Sequence, residues 1–379
     1  MIDSNKVLKY CKDLGFDLIG TVHAHALKAR LPALQKRREL GYCTPFENAD
    51  VDLRVAPERI LPGVKSILVL GIGYAYKQLP LQKGPLFKAR VAKYGRGMDY
   101  HKVLKTQMQK VVEYLHEEAG DFEYKILVDS SPLLERFLAE LTGQGWIGQN
   151  TCFYSKTTGS WIFLGEILLT LDLEVGRMVL PDGRCLECSR CIKACPTGAL
   201  KGNYIMDANR CLAYITQAKE TIPRQYRKLI GSNIMGCDIC QDVCPNNKGI
   251  LEKIAGELKP LPHLSEVDLS EILLMSNAEY KEKYGAAAYS WCGKKVLQRN
   301  CLVALGNLKA REAVPLIASF LESPNRELRL HAAWALGEIG GDLSEGSLKN
   351  RLKVEEDPLV ILEIQAALVN LHNLDKIKG

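Results

Sequence analysis

The chain has 379 residues, of which 47% are hydrophobic and 25% are charged, and its formal net charge is +6. This composition is ordinary for a globular protein of two or three domains. No apolar run reaches the ~20 residues of a membrane helix and no secretion signal is evident, so we expect a soluble, cytoplasmic protein.

Strand and helix signals alternate over the first ~175 residues, which predicts an α/β layer architecture. The pattern predicts strands at 16–22, 65–73 and 124–128, helices at 100–118 and 132–141, and a strand or hairpin at 161–173. Ser131 is the predicted N-cap of the second helix, with Pro132 at its first position.

Eight of the 13 cysteines lie between residues 185 and 244, in two runs that each end in Cys-Pro. The first run has the spacing C-x2-C-x2-C-x3-C-P of bacterial ferredoxins, and the second lacks only its first cysteine, which Cys211 can supply. In two-cluster ferredoxins the fourth cysteine of a run binds the other cluster. The predicted [4Fe–4S] ligand sets are Cys185, Cys188, Cys191 and Cys244 for one cluster, and Cys195, Cys211, Cys237 and Cys240 for the other.

Zinc sites and disulfides are the alternatives for these cysteines. Zinc sites do not favour a Cys-Pro ending, and disulfides need an oxidising compartment. The five other cysteines have no evident pairing, and we assign them no chemistry.

The last hundred residues have a helical, repetitive pattern. Ala-Leu-Gly-Asn at Ala304 recurs as Ala-Leu-Gly-Glu at Ala335 and more faintly at Ala367. Offsets of 31 and 32 residues suit HEAT-like helix pairs, which normally form a binding surface.

No short motif identifies the cofactor that receives the electrons. Gly71-x-Gly73 follows a predicted strand, but Tyr76 replaces the third glycine of a dinucleotide fingerprint. Asp99-x-His101 begins the D-x-H-x-x-G pattern of histidine-ligated cobalamin, but Leu104 replaces its glycine. The acceptor is therefore either a cofactor without a short motif or the substrate itself.

Five stretches resemble the epoxyqueuosine reductase family: 61–74, 93–104, 128–155, 185–200 and 236–247. The resemblance extends over nearly the whole chain, and the 128–155 stretch is specific to that family. It implies an oxidoreductase that removes the epoxide oxygen of epoxyqueuosine in the anticodon loop of tRNA. It also implies two [4Fe–4S] clusters, a base-off cobalamin and an external low-potential electron donor.

The expected organisation follows from the resemblance and the patterns together. We expect an α/β cobalamin-binding catalytic domain at 1–175, a ferredoxin-like two-cluster module at 176–255, and a linker with a HEAT-like domain at 256–379. We expect the protein to be a monomer.

Asp129 is the predicted proton donor, because the departing epoxide oxygen must be protonated and a shielded carboxyl group can have a raised pKa. Asp129 also follows a predicted strand, where α/β sheets place ligand sites. The alternative is that Asp129 caps the next helix, a role that Ser131 already fits. His101 is either a packed structural histidine or a site residue.

The resemblance implies further site residues. Arg136 is expected near the substrate, with a solvated surface arginine as the alternative. Residues expected to bind the cofactor are Arg54, Tyr94, Asp129, Ser155, Glu166 and Gln217.

A basic segment near residues 281–299 is the candidate tRNA surface, since cations contact phosphates and aromatic rings stack on unpaired bases. The alternative is a solvated face of a repeat helix. Its basic residues are Lys281, Lys283, Lys294, Lys295 and Arg299, and its aromatic residues are Tyr284, Tyr289 and Trp291.

Two other functions share parts of this pattern. A corrinoid reductive dehalogenase uses the same electron-transfer plan, but usually has an exported leader and lacks a helical-repeat tail. A non-enzymatic iron–sulfur carrier would leave the N-terminal ~175 residues without a role.

Overall fold

The computed structural model describes residues 4–76, 87–174, 185, 187–250, 256–265 and 267–378. The chain divides into two compact units. The first comprises Met1–Gln78, Gly97–Cys211 and Asp238–Lys259, and the second comprises Leu79–Arg96, Leu212–Cys237 and Pro260–Gly379. In the part of the chain that is described, no helix is both long enough and apolar enough to span a membrane.

The strands, in chain order, are β1 Leu18–His23, β2 Ser66–Gly73, β3 Lys88–Val91, β4 Tyr124–Leu127, β5 Gly145–Ile147, β6 Phe153–Ser155, β7 Ile162–Leu169, β8 Leu200–Gly202, β9 Ile205–Met206, β10 Asn233–Met235 and β11 Val267–Asp268.

The α-helices are α1 Ser4–Asp13, α2 Leu31–Glu39, α3 Tyr100–Ala119, α4 Glu135–Leu141, α5 Arg190–Ala194, α6 Leu212–Gln217, α7 Arg224–Ile230, α8 Ile239–Asp242, α9 Pro262–Ser265, α10 Leu269–Leu274, α11 Asn277–Tyr284, α12 Lys294–Asn307, α13 Val314–Ser319, α14 Arg326–Ile339, α15 Asp342–Leu352 and α16 Pro358–Lys378.

The first unit is built on a four-stranded sheet in the order β1-β2-β7-β4. All eight residues of β2 are buried, as expected for a central strand of Ile, Leu, Val and Gly. Every pairing in this sheet is antiparallel, so the argument from parallel α/β sheets for the position of Asp129 does not apply. Asp129 nevertheless lies two residues beyond the end of β4.

The second helix predicted in this unit begins later than expected. Helix α4 starts at Glu135 with Leu134 as its N-cap residue, and Ser131 Oγ instead accepts the backbone N–H of Leu133 at 3.2 Å. The prediction of a helix from 132 with Ser131 as its cap is therefore wrong. Residues 128–134, which we call the Asp129 loop, form an irregular connection between β4 and α4.

The second unit contains a small sheet in the order β10-β3-β11 and the helical repeats. Helix α12 packs on α14, and α14 packs on α16. A Cβ atom at Gly306 would lie 2.8 Å from the Trp334 ring, and one at Gly337 would lie 2.5 Å from Ala367 Cβ. The glycines of the repeated motif therefore permit the close helix packing that the repeat pattern predicts.

Candidate active site and cysteine segment

Three side chains form a continuous polar contact at the start of α3. The His101 ring lies between two carboxylates: Nδ1 is 2.7 Å from Asp99 Oδ1, and Nε2 is 3.2 Å from Asp129 Oδ2. Asp99 also caps α3 by accepting the backbone N–H of His101 at 3.1 Å. The helix start therefore fixes the position of the imidazole, and the imidazole in turn contacts Asp129.

The electrostatics of this contact place a proton on the imidazole. Burial alone lowers the pKa of His101, but the hydrogen bonds and charges of Asp129 and Asp99 raise it to about 9. Burial raises the pKa of Asp129, yet the bond and charge of His101 lower it by more, so the net shift is downward. The sequence argument expected a raised pKa for Asp129; in this arrangement Asp129 is ionised and its neighbour His101 is protonated.

Two further carboxyl groups lie near Asp129. Glu135, at the start of α4, accepts the backbone N–H of Asp129, and burial together with the charge of Asp129 raises the pKa of Glu135 to about 8. Glu166 on β7 pairs with Leu127 on β4 and is fully buried. Neither of its carboxyl oxygens has a hydrogen-bond partner among the described residues. Burial raises the pKa of Glu166 well above its usual range.

The cysteine segment, by which we mean residues 238–247, belongs to the same unit. Cys244 is buried in a cluster with Trp146 and Tyr154, which lie on the β5–β6 hairpin, and Cys152 packs beside them. Three hydrogen bonds of 2.8 Å attach this segment to the loop before β7, and they link Ser160, Gln241 and Asn247.

Cysteines of both predicted ligand sets affect one another's pKa. Burial raises the pKa of Cys185, and the charges of Cys244 and Cys188 raise it further. Burial likewise raises the pKa of Cys191 to about 11, followed by the charge of Cys240 and then those of Cys185 and Cys244, so these shifts do not separate the two sets. Thiols that affect one another in this way lie close together.

The donor set of the predicted clusters consists of thiols alone. Among the described residues no disulfide is present. The thiolates of a cubane cluster bind different iron atoms, and cysteines with ferredoxin spacing fit that requirement.

Several residues expected at the cofactor make structural contacts. Arg54 Nη1 lies 2.8 Å from Glu47 Oε2, and its Nε donates to Pro132 O in the Asp129 loop at 3.3 Å. The buried Ser155 hydroxyl is 2.7 Å from Thr158 Oγ1. Their role at a cofactor stays a prediction.

Three other predicted site residues lie on different elements. Arg136 on α4 donates to Thr151 O at 2.7 Å and is one of the charges that lower the pKa of Asp129. Tyr94 lies in the 3-10 helix Lys93–Gly95, and Gln217 ends α6, where it donates to Ala213 O at 2.6 Å. Their predicted contacts with substrate or cofactor are not tested by these positions.

Only some residues of the basic segment at 281–299 are exposed to solvent. Arg299 is 1% exposed and donates to Ile215 O and to Asn300 Oδ1, so the prediction that it contacts tRNA is wrong. Tyr284 and Tyr289 are also buried and cannot stack on bases. This segment faces the core because α12 packs on both α10 and α14.

The other members of the segment lie nearer to solvent. Lys281, Lys295 and Trp291 are exposed. Lys283 forms an ion pair with Glu271, and Lys294 Nζ donates to Met275 O at 2.9 Å.

Three residues at the site carry no sequence signal that we recognised as functional. Asp99 stands in an incomplete cobalamin motif, and Glu135 stands in a predicted helix with no motif around it. Cys152 lies outside the regular spacing, yet its thiol is hydrogen-bonded to that of Cys240. Only the folded arrangement brings these residues to the site.

Comparison with known families agrees with this layout. Residues 54–130 match the family described as epoxyqueuosine reductase QueG, DUF1730. Residues 184–247 match a 4Fe-4S double cluster binding domain, and residues 292–369 match HEAT repeats.

Individual relatives match over nearly their whole length. The epoxyqueuosine reductase of Bacillus cereus is 37% identical over 365 residues, which cover 96% of each chain. A crystal structure of epoxyqueuosine reductase with a tRNA-Tyr epoxyqueuosine-modified stem loop has a TM-score of 0.92 at 32% identity, covering 97% of this chain and 98% of the other. A Bacillus subtilis structure, with its catalytic aspartate loop swung out of the active site, has a TM-score of 0.91 at 32% identity, covering 97% and 98%.

These matches define an oxidoreductase that combines a double-cluster domain with helical repeats. The chain belongs to the epoxyqueuosine reductase family. Family membership confirms the resemblance seen in the sequence and favours neither the dehalogenase nor the carrier.

The charge on His101 predicts a pH-dependent stability. Its pKa of about 9 in the folded chain lies above the ordinary value of 6.5. The stabilisation is therefore fully present below about pH 6.5 and is lost as the pH rises through about 9. We expect His101→Gln to lower the free energy of unfolding by roughly 2 kcal/mol near pH 6, where both carboxylates are still ionised, and by almost nothing above pH ~10, allowing for the partial exposure of Asp129.

Denaturant unfolding of both proteins across this pH range checks the prediction. Asp129→Asn removes one of the two carboxylates that hold the imidazolium, so it should reduce the pH dependence. A stability difference that stays constant with pH would show that His101 does not carry the charge.

Proposed function

We propose that this chain reduces epoxyqueuosine to queuosine in tRNA, the last step of queuosine biosynthesis. The observation that carries the proposal is the 37% identity to an epoxyqueuosine reductase over 96% of the chain. The reaction consumes two electrons and two protons, converts the epoxide to an alkene, and releases the oxygen as water. The chain must therefore supply a source of electrons and a source of protons at one place.

The two predicted [4Fe–4S] clusters are the source of electrons. The match to a double-cluster domain supports them, as does the mutual proximity of Cys185, Cys188, Cys191, Cys240 and Cys244. A cluster relays single electrons, so an external low-potential donor must reduce the protein twice in each turnover.

We assign the electron acceptor to cobalamin bound with its dimethylbenzimidazole tail off the metal. When bound, it would supply a cobalt centre that is easier to reduce because no imidazole ligand stabilises the oxidised metal. The buried, unpartnered carboxyl oxygens of Glu166 fit such a group, since a corrin ring carries amide side chains that can donate to them. Ser155 and Arg54 are further candidates in the same unit, and Tyr94 and Gln217 stay predictions.

Asp129 and His101 act as the proton source in this proposal. At rest the proton is on the imidazolium of His101. It crosses the 3.2 Å contact from His101 Nε2 to the Asp129 carboxylate, which then donates it to the departing oxygen. The Asp129 side chain is 59% exposed, so it can reach a substrate. Exclusion of water by a bound tRNA base would raise the pKa of Asp129 and promote the transfer.

The substrate base must leave its stack to reach Asp129, and Arg136 is the proposed contact for it. The exposed Lys281, Lys295 and Trp291 are the proposed tRNA surface, and Lys283 and Lys294 are secondary contacts because each already has a partner. The stem-loop complex of a relative supports tRNA as the substrate. We propose that the enzyme acts as a monomer.

Replacement of Asp129 by Asn tests the proton donor. The amide keeps the size of the side chain but cannot transfer the proton, so turnover of an epoxyqueuosine-modified stem loop should fall by about 10²-fold or more. Iron and cobalamin contents should stay near those of the wild type. Asp121→Asn, at an exposed aspartate before β4, is the matched control and should retain activity. Full activity of Asp129→Asn would eliminate Asp129 as the donor.

Iron counting tests the crossed ligand sets. Cys188→Ala and Cys244→Ala remove ligands of the same predicted cluster, so each variant, and the double variant, should retain about half of the iron. Cys43→Ala lies outside both sets and should retain all of it. If Cys244 instead binds with Cys237 and Cys240, the double variant will lose both clusters.

The tRNA surface is tested by a double substitution, Lys281→Ala with Lys295→Ala. Each lost phosphate contact reduces the slope of log Kd against log salt by about 0.7 to 1, and the pair should weaken stem-loop binding by roughly tenfold. Lys349→Ala is the control, because Lys349 forms an ion pair with Glu345 on another exposed helix. An unchanged salt slope would move the tRNA site elsewhere.

A further inference from the structure

The backbone at Asp129 has a conformation that needs support. Its φ is 54°, in the left-handed region that side chains other than glycine rarely adopt. Such a residue costs roughly 1 kcal/mol or more and persists only where its surroundings hold it. The residue proposed to donate the proton therefore depends on a local restraint.

Glu135 supplies a contact to the backbone at this point. Its carboxyl group accepts the N–H of Asp129 from six residues further along the chain, at the first turn of α4. Other bonds hold other parts of the Asp129 loop: Arg54 Nε donates to Pro132 O, and Ser131 Oγ accepts from Leu133 N–H. The Glu135 bond is thus a restraint on the backbone of Asp129 itself, beside the 2.6 Å bond from Ser130 N–H to Val128 O that spans it.

The Asp129 side chain is held from the opposite side, by α3. His101 Nε2 lies 3.2 Å from Oδ2, and the Tyr100 hydroxyl also bonds to this carboxylate. Tyr100 is itself stacked on Phe163, with ring centroids 4.1 Å apart. Rotation of the Asp129 backbone would carry the carboxylate away from His101, so a bond that restrains this backbone also preserves the proton contact.

We propose that Glu135 is a positioning residue for the reaction: its carboxyl group holds the Asp129 N–H and keeps the Asp129 side chain on His101. This inference rests on the proposed role of Asp129 as the proton donor. The catalytic aspartate loop of a relative has been seen swung out of its active site, so such a loop has more than one position.

The protonated form of Glu135 is the one that holds the loop. Burial and the negative charge of Asp129 raise the pKa of Glu135, whereas the Asp129 N–H, Arg136 and His101 lower it, and the result is about 8. Glu166 on β7 also interacts with Glu135, because the charge of Glu135 contributes to the raised pKa of Glu166. Since the pKa is raised in this conformation, proton binding favours it; ionisation above about pH 8 sets two carboxylates against each other and releases the loop.

Three variants of the full-length, cofactor-loaded enzyme test the proposal. Glu135→Ala removes the acceptor, Glu135→Gln keeps an acceptor that resembles the neutral carboxyl group, and Glu140→Ala is the control. Glu140 lies on the same helix and accepts the Ile147 N–H at 3.0 Å, so it has the same kind of bond away from Asp129. The measurements are hydrogen–deuterium exchange of the peptide 128–134 and kcat and KM on an epoxyqueuosine-modified stem loop.

We expect Glu135→Ala to exchange about tenfold faster at the Asp129 amide and to lose about tenfold in kcat, with KM near the wild-type value. Glu135→Gln should show the exchange rate and kcat of the wild type near pH 7. Above pH ~8 amide exchange in the wild type should accelerate beyond the intrinsic effect of pH, and in Glu135→Gln this extra acceleration should be absent. Glu140→Ala should leave the 128–134 peptide unchanged.

Exchange and kcat of Glu135→Ala within twofold of the wild type would overturn the proposal, as would an unchanged pH response in Glu135→Gln. The proposed reaction and the positioning role of Glu135 are tested by different readouts. If the wild type does not reduce the stem loop, the proposed function fails, while the exchange data still decide whether Glu135 holds the loop.

Discussion

The contact between His101 and Asp129 is the interaction on which the proposed chemistry depends. It joins the start of α3 to the Asp129 loop, which leaves the edge strand β4, and it is completed by Asp99, which caps the same helix. The imidazole keeps its charge through neutral pH because it lies between two carboxylates, which raise its pKa to about 9. A helix cap, a proton store and a catalytic candidate are therefore parts of one network.

The same unit brings this proton source together with the cysteine segment. Ser160 lies just before β7, which carries Glu166, and its hydrogen bonds to Gln241 and Asn247 attach the segment that ends the second cysteine run. Cys244 is buried against the β5–β6 hairpin. The cluster predicted at Cys185, Cys188, Cys191 and Cys244 therefore belongs to the same compact unit as the proton source, so electrons and protons can be delivered there together.

Much of the layout could be predicted from local patterns. Strand β2 follows from a continuous run of apolar residues, and the long helix α3 follows from periodic ones. The spacing of the cysteines predicts iron–sulfur ligation directly. The repeat at Ala304 and Ala335 identified the packed helices because small residues are required where two backbones approach closely.

The sequence-based predictions that were wrong concern residues whose positions depend on tertiary contacts. Ser131 and Pro132 have a helix-start pattern, but α4 begins only at Glu135, whose carboxyl group accepts the Asp129 N–H. Arg299 looked like a surface cation, yet it is buried because backbone carbonyls and Asn300 accept its hydrogen bonds. The pKa of Asp129 was expected to be raised because nothing in the sequence placed His101 beside it.

Anaerobic reconstitution of the wild-type chain with iron, sulfide and cobalamin, followed by nucleoside analysis of a treated stem loop, tests the central claim most directly. The account predicts about eight iron atoms and one cobalamin per chain. With a low-potential donor, epoxyqueuosine should lose one oxygen atom and become queuosine. A fully loaded protein that leaves the epoxide intact, or one that takes up no cobalamin, would contradict it.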